Sequence, residues 1–313
     1  MNKVSIAIAT YNGAKYLKEQ LDSIYTQTLL PFEVIVCDDG SIDETIKILE
    51  EFKELKGLKY FINPIKLGFF RNFEKAITLC AGDLIALSDQ DDYWLPNKLE
   101  RLVNEIGASD LICSDAILID ANNNIIQESY FNYQNLFPYS DDLFLNIFFN
   151  NYVTGCTILF KNKLLENALP MPDIRYHDQW LGLVASKQGG VKFLNEKLIF
   201  YRQHLNNDTG SHQFISMNEK IKNLYQSISK RKILKSKISI ISKEIKQILA
   251  SKIGLNEYEK KLLKNSIIYY ENRMRFWINP ICVFYGLKYN KVYFGYYDSI
   301  FKRIFASFGT LFF

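Results

Sequence analysis

The sequence predicts an α/β protein with a Rossmann-like, mostly parallel sheet flanked by helices. Three observations point to this fold class. Strand and helix patterns alternate three times within about the first 90 residues. Each predicted strand is a short, continuous apolar run, which is typical of a sheet covered on both faces. Each of these runs is followed by a turn or a cluster of polar residues, where ligands bind in such sheets.

The first two strands are predicted at residues 4–9 and 33–37. Between them, residues 14–27 carry apolar side chains at helical spacing. After the second strand, Ser41 is followed three residues later by Glu44, which predicts a capping box at the start of the next helix. The chain therefore begins with two strand and helix pairs.

The third and fourth strands are predicted at residues 58–62 and 83–87, with a helix at 72–80 between them. Further elements follow along the chain. Strands are predicted at 111–119, 125–131, 156–160 and 192–201, with a hairpin over 122–124, and helices at 141–151 and 178–188.

Charge divides the chain into two parts. Residues 1–213 have an excess of nine acidic residues, whereas residues 214–313 have an excess of thirteen basic ones, within a net charge of +4. Apolar residues at intervals of four and three from Leu234 to Ile248 predict an amphipathic helix in the basic part. We therefore predict a first domain over 1–213 and a basic helical C-terminal region over 214–313.

Cysteine usage argues against a disulfide framework or a zinc site. The five cysteines are widely spaced, odd in number and form no CxxC motif, so buried reduced thiols are predicted. The apolar stretch at the N-terminus is too short for a signal peptide. Because no apolar run reaches about 18 residues, no membrane-spanning helix is predicted.

Two aspartates follow the fourth predicted strand. Asp89 and Asp91 are two residues apart, so an extended backbone points both carboxylates to the same side and Asp92 to the other. Neighbouring carboxylates repel each other unless a cation lies between them. Mg²⁺ or Mn²⁺ suits such oxygen ligands together with phosphate oxygens, so the pair is a candidate holder of a metal–diphosphate. A solvated acidic turn is the alternative.

Six motifs in order carry a family resemblance. They are ATYNG, VIVCDDGS, LGFFRNF, AGDLIALSDQDDYW, YHDQWL and YRQHLNNDTG. Their order resembles glycosyltransferase family 2, and the last motif is similar to its bacterial rhamnosyltransferase-like branch. The resemblance covers about residues 3–212 and implies the GT-A nucleotide-diphosphosugar transferase fold.

The resemblance also implies site residues. Those implied for the nucleotide sugar are Thr10, Tyr11, Asn12, Asp38, Asp39, Gly68, Arg71, Asp89 and Gln90. In this interpretation Tyr11 stacks on the base and the Arg71 guanidinium reaches the diphosphate. Either Asp38 or Asp39 accepts a hydrogen bond from the base or ribose, and the alternative for each is helix capping. For Arg71 the alternative is a surface position at a helix start.

The remaining implied residues are metal ligands, a base and acceptor contacts. Asp91 and His204 are implied as ligands of Mn²⁺ or Mg²⁺, with a structural histidine as the alternative for His204. Asp178, predicted at a helix start, is implied as the general base, with an N-cap as the alternative. Gly155, His177 and Trp180 are implied beside the acceptor.

The implied activity is metal-dependent, inverting transfer of a sugar from dTDP-rhamnose or a UDP-hexose to a glycan or polyprenyl-linked acceptor in bacterial cell-surface polysaccharide synthesis. The alternatives are a nucleotide-sugar-binding protein without turnover and a phosphoryl-transfer enzyme, although the sequence has no P-loop.

The sequence favours two roles for the basic C-terminal region. An anionic membrane surface is one partner that basic, aromatic, amphipathic segments favour, and it would place the enzyme at the cytoplasmic face of the membrane. A helical cap over the fold or a homo-oligomer contact is the second. Nucleic acid is not expected as a partner, because no known nucleic-acid-binding motif occurs.

Overall fold

The computed structural model describes two compact units of the chain. The first unit contains residues 2–134, 153–171 and 176–204; the second contains 136, 142–152, 172–174 and 231–275. The predicted domain boundary at 213 and 214 lies outside the described residues.

The first unit is built on one nine-stranded sheet. Its strands are β1 (Val4–Thr10), β2 (Glu33–Asp38), β3 (Lys59–Ile62), β4 (Leu84–Ser88), β5 (Tyr93–Trp94), β6 (Leu111–Ile119), β7 (Ile125–Gln127), β8 (Ile158–Lys161) and β9 (Val191–Arg202). The strand order is β3-β2-β1-β4-β8-β6-β9-β5, and β7 pairs with β6.

Helices follow most of the strands. They are α1 (Ala14–Tyr25), α2 (Thr45–Lys56), α3 (Phe69–Thr78), α4 (Lys98–Glu105), α5 (Tyr130–Gln134), α6 (Leu143–Asn150), α7 (Leu165–Ala168), α8 (His177–Ser186), α9 (Arg231–Ala250) and α10 (Glu257–Arg275). Three of them, α6, α9 and α10, belong to the second unit.

The predicted parallel half of the sheet is confirmed. Strands β3, β2, β1 and β4 pair in parallel. Residues of β1 and β2, such as Ile6 and Val36, are buried, whereas the edge strand β3 is largely exposed. Thr10 pairs with Asp38, and Ile8 pairs with Ser88, so the carboxyl ends of β1, β2 and β4 meet at one edge. The polar clusters that follow these strands therefore lie together, which is where the site is built.

The other half of the sheet is mixed. Strand β8 is antiparallel to both β4 and β6, whereas β9 is parallel to β6. The predicted hairpin is confirmed, with Asn123 in the left-handed region at φ 67°. The strand predicted over 125–131 is too long, because β7 ends at Gln127 and α5 begins at Tyr130.

The capping box predicted at Ser41 is wrong. Helix α2 begins at Thr45, and Asp43 Oδ1 accepts a 3.0 Å hydrogen bond from the Thr45 amide. Ser41 Oγ instead donates to Asp38 Oδ2 at 2.6 Å and accepts from the Asn12 amide at 2.8 Å. Its hydroxyl joins the turns after β1 and β2 and does not cap a helix.

Gly68 sets the start of α3. The helix begins at Phe69, three residues before the predicted start, and Gly68 precedes it at φ +79°, a backbone region that favours glycine. The turn before the helix therefore brings the loop that follows β3 back over the edge of the sheet.

The second unit contains the predicted amphipathic helix. It is α9, which packs against α10 and buries Ile245 and Ile248. In the described ranges, no helix combines the length and the apolar character needed to cross a bilayer. The apolar, aromatic segment at residues 299–313 lies outside the described residues.

The cysteine prediction is confirmed for the residues that the structure describes. Cys37, Cys80, Cys113 and Cys156 are buried free thiols. Burial raises the pKa of the Cys37 and Cys113 thiols to about 11, so they stay protonated at neutral pH. Cys282 lies outside the described residues.

Candidate active site

A cleft of about 350 Å³ lies at the carboxyl ends of β1, β2 and β4 and extends to the start of α8. One end is formed by Tyr11, Asp39 and Gly68, and the other by Gly155 and Asp178. The cleft therefore joins residues that the sequence assigned to a nucleotide, a metal, an acceptor and a base.

Tyr11 forms an exposed wall at the end of β1. Its side chain is 41% exposed, and Lys66 Nζ lies 3.4 Å from the centroid of its ring. Among the described residues that line the cleft, Lys66 is the one Lys or Arg side chain. No sequence motif identifies this lysine as a site residue, and its place two residues before Gly68 is the one signal in the sequence.

Gln90, in the loop after β4, holds the backbone of Tyr11 through two hydrogen bonds. Its Oε1 accepts from the Tyr11 amide at 2.9 Å, and its Nε2 donates to the Tyr11 carbonyl at 3.2 Å. A side-chain amide that pairs with both backbone groups of one residue fixes the backbone of Tyr11 relative to Asp89 and Asp91. Gln90 also lines the cleft itself.

The two aspartates after β2 have different surroundings. Asp38 is fully buried and accepts from Gly40 N, Ser41 N, Ser41 Oγ and Thr10 Oγ1, so it braces the turn and does not line the cleft. Asp39 lines the cleft and accepts from the Leu67 and Gly68 amides at 2.6 and 2.8 Å. Of the two, only Asp39 faces the space where a ligand would bind.

Asn12 and Arg71 do not reach this cleft. Asn12 Oδ1 accepts from the Ile42 amide at 2.9 Å, and the residue lines a neighbouring cleft. The Arg71 guanidinium is paired with Glu74 at 2.5 Å and donates to the Met171 carbonyl at 2.9 Å. Arg71 does not line the cleft, because Nη1 is held by Glu74 and the Met171 carbonyl, so its contact with a diphosphate stays a prediction.

The loop after β4 presents two acids to the cleft, as their two-residue spacing predicts. Asp89 and Asp91 both line the cleft, whereas Asp92 is fully buried and accepts from the Arg202 amide at 2.9 Å. Burial, together with the nearby charges of Asp91 and Asp89, raises the pKa of Asp92 well above its usual range. Asp92 therefore braces the loop from behind.

Asp91 and His204 form the pair predicted to bind a metal. His204 Nε2 lies 2.9 Å from Asp91 Oδ2, and both side chains are 13% exposed. One carboxylate oxygen and one imidazole nitrogen that converge in this way fit a divalent cation, with the remaining positions open to oxygen ligands. The structure thus brings the two predicted ligands together.

A second cluster of potential metal ligands contains two aspartates and a cysteine. Asp89, Asp92 and Cys156 offer ligand atoms within 4.8 Å of one another. Burial raises the pKa of the Cys156 thiol well above its usual range, so the thiolate that a metal would need is disfavoured. The Lys98 amine is buried beside it and donates to the Cys156 carbonyl, and burial lowers its pKa to about 8.

Asp178 lies in the first turn of α8. Its Oδ2 accepts from the Gly155 amide at 2.8 Å, and its Oδ1 accepts from the Gln179 amide at 2.6 Å. The N-cap of α8 is Tyr176, so the alternative of Asp178 as an N-cap is wrong. At this position the helix dipole favours the ionised carboxylate.

His177 packs beside this carboxylate. Its ring stacks on Phe73 with centroids 4.2 Å apart, and the residue is 6% exposed. Burial lowers its pKa to about 3, so the imidazole is neutral at physiological pH. Within the described part of the chain neither ring nitrogen has a hydrogen-bond partner.

Gly155 leaves open the space between His177 and Asp178. A Cβ at this position would lie 3.3 Å from His177 Nε2 and 3.6 Å from Asp178 Oδ2. A side chain here would thus crowd the one point where the two polar groups meet.

Trp180 does not flank the cleft. It is 2% exposed, and its indole nitrogen donates to the Ala168 carbonyl at 2.8 Å, so the prediction of an acceptor contact is wrong for this structure. Tyr176, Phe69 and Tyr201 are among the aromatic residues that do line the cleft. Trp180 lies two helix positions beyond Asp178, which turns its side chain into the interior.

The chain is similar in sequence to several curated proteins. The chain is 29% identical to the dTDP-rhamnosyl transferase RfbG of Shigella flexneri over 237 residues, which is 69% of this chain and 78% of that protein. It spans between 65% and 84% of the length of the first three curated relatives that it matches.

Two solved structures have the same GT-A fold. S. aureus TarS 1-349 in complex with UDP-GlcNAc matches 93% of this chain and 81% of that one, with a TM-score of 0.58 and 18% identity. The mannosyltransferase PcManGT from Pyrobaculum calidifontis, in complex with GDP-Man and Mn²⁺, matches 86% of this chain and 70% of that one, with a TM-score of 0.57 and 15% identity.

The family model described as Glycosyl transferase family 2 matches residues 5–169, more than half of the chain. With the GT-A fold, this match shows that the chain belongs to glycosyl transferase family 2.

Proposed function

We propose that this protein is a metal-dependent, inverting glycosyltransferase that uses a nucleotide-sugar donor in the synthesis of a bacterial cell-surface polysaccharide. The observation that carries the proposal is that Asp89, Asp91 and Asp178 line the same cleft. The named activity of RfbG and the nucleotide sugars bound to TarS and PcManGT support the same class of donor.

The nucleotide would bind at the end of the cleft formed by Tyr11. The exposed Tyr11 ring offers a stacking face to the base, and Asp39 offers acceptor oxygens to base or ribose donors. The Lys66 ammonium would replace its contact with the Tyr11 ring by a contact with the diphosphate. Thr10 and Gly68 complete this end, and Asp89 lies where the ribose would reach.

Asp91 and His204 would hold the cation, Mn²⁺ or Mg²⁺. When bound, the cation supplies positive charge that neutralises the departing nucleoside diphosphate. The imidazole of His204 and the carboxylate of Asp91 are already within 2.9 Å, so little reordering is needed to bring both to one ion.

Asp178 would act as the general base. The acceptor hydroxyl gives its proton to the Asp178 carboxylate while its oxygen forms the new bond to the anomeric carbon and the bond to the diphosphate breaks. The Gly155 amide holds Oδ2 in place without occupying all the lone pairs of the carboxylate. The opening at Gly155 and the neutral His177 ring would receive the acceptor sugar.

The acceptor would be a glycan or a polyprenyl-linked glycan, and the basic C-terminal region would bring the enzyme to an anionic membrane surface at its cytoplasmic face. The cluster of basic residues over 214–313 supports this placement through attraction to anionic lipids. A homo-oligomer contact is the other role proposed for that region.

The decisive experiment is a donor panel. The full-length protein is incubated with UDP-, dTDP- and GDP-linked sugars and a polyprenyl-diphosphate-linked glycan, each with Mn²⁺, Mg²⁺ or a chelator. We expect one nucleoside diphosphate to be released only with metal, and a product whose anomeric configuration is opposite to that of the donor. Retained configuration, or turnover that the chelator does not reduce, would contradict the proposal.

A further inference from the structure

Arg202, the last residue of β9, is a buried residue whose backbone amide and guanidinium donate to four groups. It is 1% exposed; its Nε donates to the Asp91 carbonyl at 2.7 Å and its Nη2 donates to Glu19 Oε2 at 2.8 Å. Its backbone amide donates to Asp92 Oδ1, and Nη1 donates to Asn123 Oδ1. A buried guanidinium is stable only when its donors are satisfied, so this set of contacts fixes where the loop of Asp91 lies.

Tyr16 on α1 joins Arg202 to the other proposed ligand. The Arg202 guanidinium carbon lies 4.5 Å from the centroid of the Tyr16 ring. The same ring stacks on the imidazole of His204, with centroids 5.1 Å apart and planes inclined by 24°. Tyr16 thus contacts the ring that faces Asp91, whereas Arg202 holds the main chain of Asp91.

Glu19 makes this arrangement compatible with a nearby cation. A guanidinium beside the cation site would repel the ion, but the Glu19 carboxylate is paired with it at 2.8 Å. Both Glu19 and Tyr16 belong to α1, so one rigid helix carries the support for both ligands.

We propose that Tyr16 and Arg202 are positioning residues that hold His204 and Asp91 in place for the divalent cation. The proposal rests on the proposed function, in which Asp91 and His204 bind that cation. Neither Tyr16 nor Arg202 belongs to the donor set. They act by fixing the side chain of one ligand and the backbone of the other, as residues behind metal ligands generally do.

The test compares Tyr16→Leu with Tyr25→Leu. Tyr25 is on the same helix, stacks on Phe52 with centroids 5.9 Å apart, and lies roughly 14 Å from Tyr16 along the helix axis. The same chemical change therefore removes an aromatic contact in both variants, but only one of these contacts touches the ligand pair. Tyr16→Phe keeps the ring and serves as the conservative variant.

The quantity to measure is the affinity for Mn²⁺. It is determined by electron paramagnetic resonance in the presence of the nucleotide released in the donor panel. We expect Tyr16→Leu to weaken Mn²⁺ binding by about tenfold or more. Tyr25→Leu and Tyr16→Phe should match the wild type. The Mn²⁺ concentration for half-maximal turnover should rise in Tyr16→Leu, with kcat recovered at saturating Mn²⁺.

Wild-type Mn²⁺ affinity in a folded Tyr16→Leu variant would overturn the proposal and leave the proposed function intact. If Tyr16→Leu does not fold, Arg202→Lys replaces it, because lysine keeps the charge but not the fork of donors; wild-type affinity there overturns the proposal equally. A wild-type protein that binds no Mn²⁺ under these conditions would overturn the metal assignment itself.

Discussion

The Gly155 amide donates a 2.8 Å hydrogen bond to Oδ2 of Asp178, which joins the 3₁₀ turn before β8 to the first turn of α8. A glycine at this position both supplies the donor and leaves room beside the carboxylate. The proposed base is therefore placed by a backbone group, which does not depend on side-chain identity.

This relationship predicts the effect of Gly155→Ala. The new methyl group would lie 3.3 Å from His177 Nε2 and 3.6 Å from Asp178 Oδ2, within the space proposed for the acceptor. We expect kcat to fall by about 100-fold, because the methyl group would displace the acceptor hydroxyl, and a displacement of a reacting group by about 1 Å has an effect of this size. Steady-state kinetics measure it. Nucleotide affinity and the melting midpoint should not change, and full activity would exclude Gly155 from the acceptor site.

Asp178→Asn separates proton transfer from donor binding. The amide oxygen still accepts the hydrogen bond of Gly155, but it does not take a proton from the acceptor hydroxyl. Transfer should slow by at least about 100-fold at unchanged donor affinity. Glu166→Gln, at an exposed acid of α7, is the matched control. Turnover near that of the wild type would rule out Asp178 as the base.

Alanine variants of Lys66 and Arg71 test which of these two side chains contacts the diphosphate of the donor. Lys66→Ala removes the cation that lines the cleft, and we expect the donor KM to rise about tenfold, as the loss of one hydrogen bond to a charged group implies. Arg71→Ala removes a cation that is paired with Glu74, so donor KM should change little. Steady-state kinetics with varied donor concentration give the donor KM of both variants. A larger increase in KM for Arg71→Ala than for Lys66→Ala would mean that Arg71, and not Lys66, contacts the diphosphate.

The buried His177 ring predicts a pH dependence of stability. Its pKa is about 3 in the folded protein, below the value of about 6.5 in an unfolded chain, so below pH 6.5 the unfolded state binds the extra proton. The ring therefore lowers the free energy of unfolding by up to about 1.4 kcal/mol for each pH unit between pH 6.5 and 3. Stability is unaffected by this group above pH 6.5.

His177→Leu is the matching variant. Denaturant unfolding at pH 7 and pH 5 should show a smaller loss of stability on acidification than in the wild type, whatever the stability at pH 7. Equal losses in the two proteins would mean that His177 ionises freely in the folded state.

The sequence predicts most of the parallel half of the sheet, for a physical reason. Strands buried on both faces are continuous apolar runs, and the polar residues Thr10 and Asp39 stand where those runs end. Strand direction and proximity then follow from the alternation with helices. The mixed half is less regular, and the end of β7 at Gln127 left no comparable signal.

The direction in which long side chains point could not be predicted from the sequence. Arg71 belongs to a motif of the family, yet Glu74 and the Met171 carbonyl turn its guanidinium away from the cleft. Lys66 reaches the cleft because the loop after β3, which ends at Gly68, brings its side chain onto the Tyr11 ring. The contacts of Arg71 with the Met171 carbonyl and of Lys66 with Tyr11 join residues far apart in the chain, which motif spacing does not encode.

The two hydrogen bonds between Gln90 and the backbone of Tyr11 have a thermodynamic consequence for the proposed function. A base bound on Tyr11 would also restrain the loop after β4, which carries Asp91, so donor and cation would each favour the binding of the other. Such heterotropic coupling is reciprocal: whatever factor the ion adds to nucleotide affinity, the nucleotide returns to the ion.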